Sequence, residues 1–189
     1  LARTPNKPSS DYVIVCRARE AKATIDDCMT EDKSDPPGAD FWRSALQLYQ
    51  RPGVAAALLA LQDRHGGDVM AALWAIVAIE AGRSPSASDI QGFFEATADA
   101  RLEAAAMRAE RRRLKHGDPD DYDAAKRREL AAERAVAAAA PAPATTGVAE
   151  PNPLRRRAAV TAAFLAALPD PPDAAAAAAY GKSFQIAEA

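Results

Sequence analysis

From Asp40 onward, apolar residues recur at helical spacing, and glycine, proline and short polar side chains punctuate the repeats. Phe41, Trp42, Ala45, Leu46 and Tyr49 draw one stripe over residues 41–50, with Asp40 as the expected N-cap and Pro52-Gly53 as the stop. A second helix over residues 54–65 carries Leu58, Leu59 and Leu61 and ends at Gly66-Gly67, where glycine supplies a left-handed cap. Asp68 is placed to cap a third helix, 69–81, which is apolar on nearly every side as far as Glu80 and so predicts the central, most buried element. Ser88-Asp89-Ile90-Gln91 has the form of a capping box. It opens a fourth helix that shows Phe93, Phe94 and Leu102, then continues as the polar run EAAAMRAERRRLKH to Gly117. Asp118, Pro119 and the carboxylates of Asp120 and Asp121 start a fifth helix, 120–140, expected to fold back on the fourth as a charged hairpin.

The segment PAPATTGVAEPNP reads as a linker, because proline breaks regular structure and nothing apolar is there to bury. Asn152-Pro153 starts a sixth helix to Leu168, with Leu154, Phe164, Leu165 and Leu168 as its stripe, and the alanine run from Ala174 makes one last short helix. The pattern therefore predicts an all-α protein, a small helical bundle with a charged helical hairpin and a loosely packed C-terminal helical segment. Its expected divisions are a flexible extension at 1–39, a helical core at 40–102, the hairpin at 103–140, a Pro/Ala linker at 141–153 and a helical tail at 154–189. The first methionine is Met29, and the 28 residues before it hold both cysteines and the one strand-like run, Tyr12 to Val15. The working protein is expected to begin at Met29, with a genuine flexible tail as the alternative.

Composition changes this picture in one respect. Hydrophobic residues make up 49% of the chain, yet alanine alone is about a quarter of all residues, so large core-forming side chains are scarce. Most of them lie between Phe41 and Leu102. A net charge of -2 disfavours non-specific binding of nucleic acid by the whole chain. Cys16 and Cys28 form neither a disulfide framework nor a metal knuckle, which suits a reducing cytoplasm. The longest apolar run, Val69 to Ile79, is too short to span a bilayer, and no secretory signal pattern opens the chain. The expected location is cytoplasmic, with no membrane partner.

Candidate chemistry is thin. In LQDRHGGD, the side chains of Gln62, Asp63, His65 and Asp68 gather carboxylates and an imidazole around a glycine turn, the kind of set that a metal ion or a general base requires. Helix ends account for the same residues: His65 complements a helix C-terminus, Asp68 caps the next helix and Asp63 is solvated. Helices two and three have the outline of a helix-turn-helix, but VMAALWAIVAIEA offers no polar side chain to a base edge. Arg108, Arg111, Arg112, Arg113 and Lys115 form a candidate basic face able to contact phosphates. Neighbouring acids, Glu110, Glu129 and Glu133 among them, nearly cancel that charge, and no aromatic side chain interleaves the arginines to stack on a base. With His65 and His116 as the only histidines, no Ser-His-Asp set can be assembled, and no glycine-rich phosphate loop is present. Trp42, Tyr49, Trp74, Phe93 and Phe94 are read as core rather than as the lining of a ligand pocket.

The string FWRSALQLYQRPGVAAALLALQDRHGGDVMAALW resembles the start of a proteobacterial family, domain of unknown function 2390. The residues that carry the resemblance are Phe41-Trp42, Leu48-Tyr49, Gly53-Val54, Leu61-Gln62-Asp63, Gly66, Asp68-Val69 and Trp74. The resemblance implies a short bacterial cytoplasmic helical protein and supplies no reaction, cofactor or partner. The function expected from the whole reading is a protein-protein interaction or regulatory module, acting through a protein partner or self-association, with no cofactor. A small-molecule or metal-binding enzyme using the His65 turn is the alternative, and a nucleic-acid binder through the arginine-rich hairpin is the disfavoured third.

Overall fold

The computed structural model describes residues 37–168 and 172–186, so the expectations for residues 1–28 and for a start at Met29 lie outside the described residues. Within them the chain forms eight helices and a single pair of two-residue strands. The helices are α1 (Ala39–Tyr49), α2 (Val54–His65), α3 (Val69–Glu80), α4 (Ala87–Ala96), α5 (Ala98–Leu114), α6 (Pro119–Ala139), α7 (Pro153–Ala167) and α8 (Ala174–Ile186). The all-α class expected from the sequence is the class found.

Helix α3 is the axis of the molecule. Every residue from Val69 to Ile79 is buried, and Glu80 is the first to leave the core, pairing there with Arg51 from the turn between α1 and α2. The Asp68 carboxylate accepts from the Ala71 amide at 2.9 Å, the N-cap bond expected from its position. Gly66 closes α2 in the left-handed conformation with φ 64°, also as expected.

Helix α1 starts one residue before the expected cap. Its N-cap is Gly38, at φ 76°, while Asp40 sits in the first turn and pairs with Arg43 at 2.8 Å. The cause is tertiary: a β-carbon on Gly38 would stand 2.1 Å from the carbonyl oxygen of Ala137, at the end of α6. Gly38→Ala therefore adds both a strained φ and a clash with backbone that no rotamer relieves, and a loss of about 1–3 kcal/mol in urea denaturation is expected.

The expected long fourth helix is two helices, because Thr97 interrupts it. Thr97 is fully buried, and its hydroxyl donates to the Phe93 carbonyl at 2.7 Å, turning the chain between α4 and α5. The capping box also lies earlier than expected. It is formed by Ser86 and Asp89, each bonding the other's backbone amide, rather than by Ser88 and Gln91. As a result Leu102, read as part of the core stripe, points outward and is 72% exposed.

Helices α5 and α6 form the expected charged hairpin, with Asp118 accepting from two amides at the start of α6 and Pro119 in its first turn. The segment after α6 packs against the core at several points. The Trp74 indole donates to the Pro141 carbonyl at 2.7 Å, and Pro143 is buried. Strand β2 (Val148–Ala149) pairs antiparallel with β1 (Arg83–Ser84). Proline and alanine cannot announce such a strap, because its partners are a backbone edge and an indole N–H.

The C-terminal helices also carry more of the core than their sparse stripe suggests. Val160, Phe164, Tyr180 and Phe184 are buried in the same cluster as Trp74 and Phe93, and α8 packs against α2. Ring centroids run 5.2 Å from Trp74 to Phe93, 6.2 Å from Phe94 to Phe164 and 4.9 Å from Phe164 to Tyr180. A few rings thus fill the volume that alanine leaves open. Leu154, expected on that stripe, is 70% exposed.

Candidate functional site

The glycine turn between α2 and α3 brings the start of α3 against the middle of α5. Between them opens a solvent-facing cleft of about 550 Å³. Val69, Met70 and Val136 supply apolar wall, and Arg101, Arg108 and Arg112, on one side of α5, supply the charge. Leu102 stands at its lip.

Each arginine is held by a carboxylate of the chain itself. Arg101 Nε donates to Asp68 Oδ2 at 2.6 Å, and its guanidinium lies 4.7 Å from the centre of the Phe94 ring. Arg112 reaches Asp63 at 3.0 Å across an exposed surface. Arg108 turns toward α6, donating from Nε to Glu129 at 3.2 Å and from a terminal nitrogen to Glu133 at 3.3 Å. Behind it the buried Arg111 pairs with Glu129.

Glu129 and Glu133 are themselves buried, and Glu133 Oε2 has no hydrogen-bond partner among the described residues. Burial first, and then the neighbouring charge of Glu129, push the Glu133 carboxyl up from its ordinary 4.5 to about 7, against the opposing pull of Arg108. Burial alone would lower the Arg111 pKa, but the hydrogen bond and charge of Glu129 more than offset it and hold the guanidinium above its ordinary value. On the far side of the turn, the Tyr180 hydroxyl accepts from the Asp68 amide at 3.3 Å, and burial raises its pKa.

The residues singled out in the sequence are therefore split and recombined. Gln62 and Asp68 line the cleft, Asp63 touches its edge through Arg112, and His65 is not among the lining residues. Asp68 is committed to its cap and to Arg101, and among the described residues no group of three or more His, Cys, Asp or Glu side chains is placed to hold a metal ion. The basic run does not form one continuous face. Arg111 is 5% exposed, Arg108 is largely covered by α6, and Arg112 and Arg113 remain on the surface. The two candidate sets, read as separate in the sequence, meet at this cleft through Gln62 and Asp68 on one wall and Arg108 and Arg112 on the other. Sequence reasoning missed Arg101, the exposure of Leu102 and the burial of Glu129 and Glu133.

A family model described as protein of unknown function (DUF2390) matches residues 40–139. The chain belongs to this family. The DUF2390 match runs from the first turn of α1 to the last residue of α6, and so takes in the cleft and the whole charged hairpin. Helices α7 and α8 lie beyond the DUF2390 match, although Phe164 and Phe184 share its core. Neither the curated proteins nor the solved structures give a match to the chain. Among the described residues no helix is long and apolar enough to cross a membrane.

Proposed function

We propose that this protein is an interaction module that docks a segment of a partner protein in the cleft between the α2–α3 turn and α5. The observation that carries the reading is Leu102, 72% exposed at the lip of an arginine-lined cleft; among the described residues only Val148 and Leu154 are large apolar side chains left comparably open, and neither lines the cleft. A leucine in that setting gains by being covered, at roughly 25 cal/mol for each Å² of apolar surface removed from water. The arginines beside it supply directional contacts, and arginine is enriched where protein surfaces meet. A cleft of this kind orients a bound segment; with Asp68 tied to Arg101, it holds no free base beside a positioned nucleophile.

The test compares the wild type with Leu102→Asp, each purified from the native host as the full chain. Leu102 makes no contribution to the buried core, so Leu102→Asp is expected to keep wild-type stability within about 0.5 kcal/mol. A partner recovered in stoichiometric amount with the wild type and lost with Leu102→Asp is the expected result. A partner recovered equally with both places docking elsewhere and sinks the proposal.

A further inference from the structure

We infer that the docked segment is acidic, and that Arg108 is the residue that passes from Glu133 to a carboxylate of that segment when Glu133 takes up a proton. This deepens the docking reading and rests on it.

The three arginines of the cleft are not equivalent. Arg101 is fixed on both sides, by Asp68 at 2.6 Å and by the Phe94 ring, and serves as wall. Arg112 is held only by Asp63, in a pair with both side chains about half exposed, and such a pair gives way to a competing carboxylate at little cost. Arg108 is the shared one. It lines the cleft, yet its Nε and one terminal nitrogen are turned at 3.2 and 3.3 Å to two buried carboxylates, of which Glu129 already has Arg111.

Charge balance turns this sharing into a coupling. With both carboxyls ionised, Glu129 and Glu133 neutralise Arg108 and Arg111, and the cleft wall presents no net charge from this group. A proton on Glu133 leaves one positive charge uncompensated, on the guanidinium that already borders the cleft. An acidic segment is the complementary occupant, and its apolar side chains would meet Val69, Met70 and Leu102. By reciprocity, an occupant that draws Arg108 away leaves Glu133 buried without its cation and makes it bind its proton more tightly.

The groups that face Glu133 bear this out. They are Arg108 and Arg111 from α5 and Glu129 from its own helix. Helix α3, also packed on α6, has no titratable side chain from Val69 to Ile79, and on α1 Asp40 and Arg43 pair with each other at the surface. Glu133 Oε2, with no hydrogen-bond partner among the described residues, is the position where a proton costs no existing bond.

The probe is a short rhodamine-labelled peptide alternating Glu and Leu, with a counterpart carrying Gln in place of Glu. Its binding to the full chain is followed by fluorescence anisotropy at about pH 6 and about pH 8, on either side of the Glu133 titration. The wild type is expected to bind the Glu peptide about fivefold more tightly at the lower pH, the change produced when binding raises the carboxyl pKa by about one unit. Glu133→Gln is expected to bind at both pH values with the wild type's low-pH affinity. Arg108→Gln is expected to bind weakly at both, which keeps the test decisive if Glu133→Gln fails to fold. A pH dependence that persists in either variant, or equal affinity for the Gln peptide, overturns the inference. If a partner is lost from Leu102→Asp but the Glu peptide does not bind the wild type, the acidic assignment falls and the docking reading stands.

Discussion

Phe164→Ala is expected to cost about 3–5 kcal/mol of unfolding free energy, the largest loss among the substitutions considered. Phe164 is fully buried on α7, outside the family match, and its ring lies 4.9 Å from Tyr180, 5.5 Å from Phe184 and 6.2 Å from Phe94. Removing it empties the point where α4, α7 and α8 meet, and small alanine neighbours such as Ala163 and Ala167 have no side chain with which to refill it. Urea denaturation followed by tryptophan fluorescence is the informative measurement in a Trp42→Phe background, where the one remaining tryptophan, Trp74, reports on α3 and stands in contact with Phe93. If the C-terminal helices share one cooperative unit with α3, the fluorescence midpoint falls by the full amount. A midpoint unmoved at Trp74, with loss of helical signal alone, would mean that α7 and α8 dock as an appendage. Leu154→Ala on the same helix, 70% exposed, serves as the control and should change stability by no more than about 0.5 kcal/mol.

The contrast between Phe164 and Leu154 shows what the chain makes legible and what it hides. Local signals were readable wherever a single residue type has one physical use. Asp68 as a cap, Gly66 as a left-handed stop, Pro119 in a first turn and the burial of α3 all follow from backbone chemistry or periodicity within a few residues. The errors arise where a distant partner decides. Gly38 rather than Asp40 starts α1 because of the Ala137 carbonyl, and Val148–Ala149 becomes a strand because Arg83–Ser84 offers an edge. The site follows the same rule. By charge alone Glu129 counts only as an acid that offsets the arginines, although it lies on the stripe Ala125, Glu129, Ala132, Val136 that faces inward along α6. Arg111 occupies the matching place on α5, in line with the buried Ala104 and the half-buried Met107. In a helix whose apolar stripe is mostly alanine, a charge on that stripe does not stand out by hydrophobicity, and opposite charges on the inward stripes of two consecutive helices were the available sign of a buried pair.

Glu133→Gln is expected to stabilise the protein at pH 8 by about 3 kcal/mol relative to its effect at pH 4.5, because only the wild type must bury a charge there. The folded chain holds the Glu133 proton up to about pH 7, whereas the unfolded chain releases it near its ordinary 4.5, so between these values the folded state binds more protons. Stability contributed by the neutral carboxyl is thus fully present below about pH 4.5 and is lost as pH rises through about 7. Arg108 offsets part of the cost of ionisation but reaches only one oxygen of Glu133, at 3.3 Å, and it is shared with Glu129. Glutamine has the same shape and no charge, so the difference between variant and wild type isolates this one titration from every other group in the chain. Urea midpoints measured on both proteins from pH 4.5 to pH 8 should diverge steadily through the interval, and parallel curves would remove Glu133 as a buried titrating group. Glu110→Gln, at a carboxylate paired with Arg128 on the outside of the same hairpin, supplies the contrast: its curve should track the wild type within about 0.5 kcal/mol. The cleft and the stability of the fold would then answer to the same proton, since the group that destabilises the hairpin when ionised is the one that keeps Arg108 turned away from an incoming carboxylate.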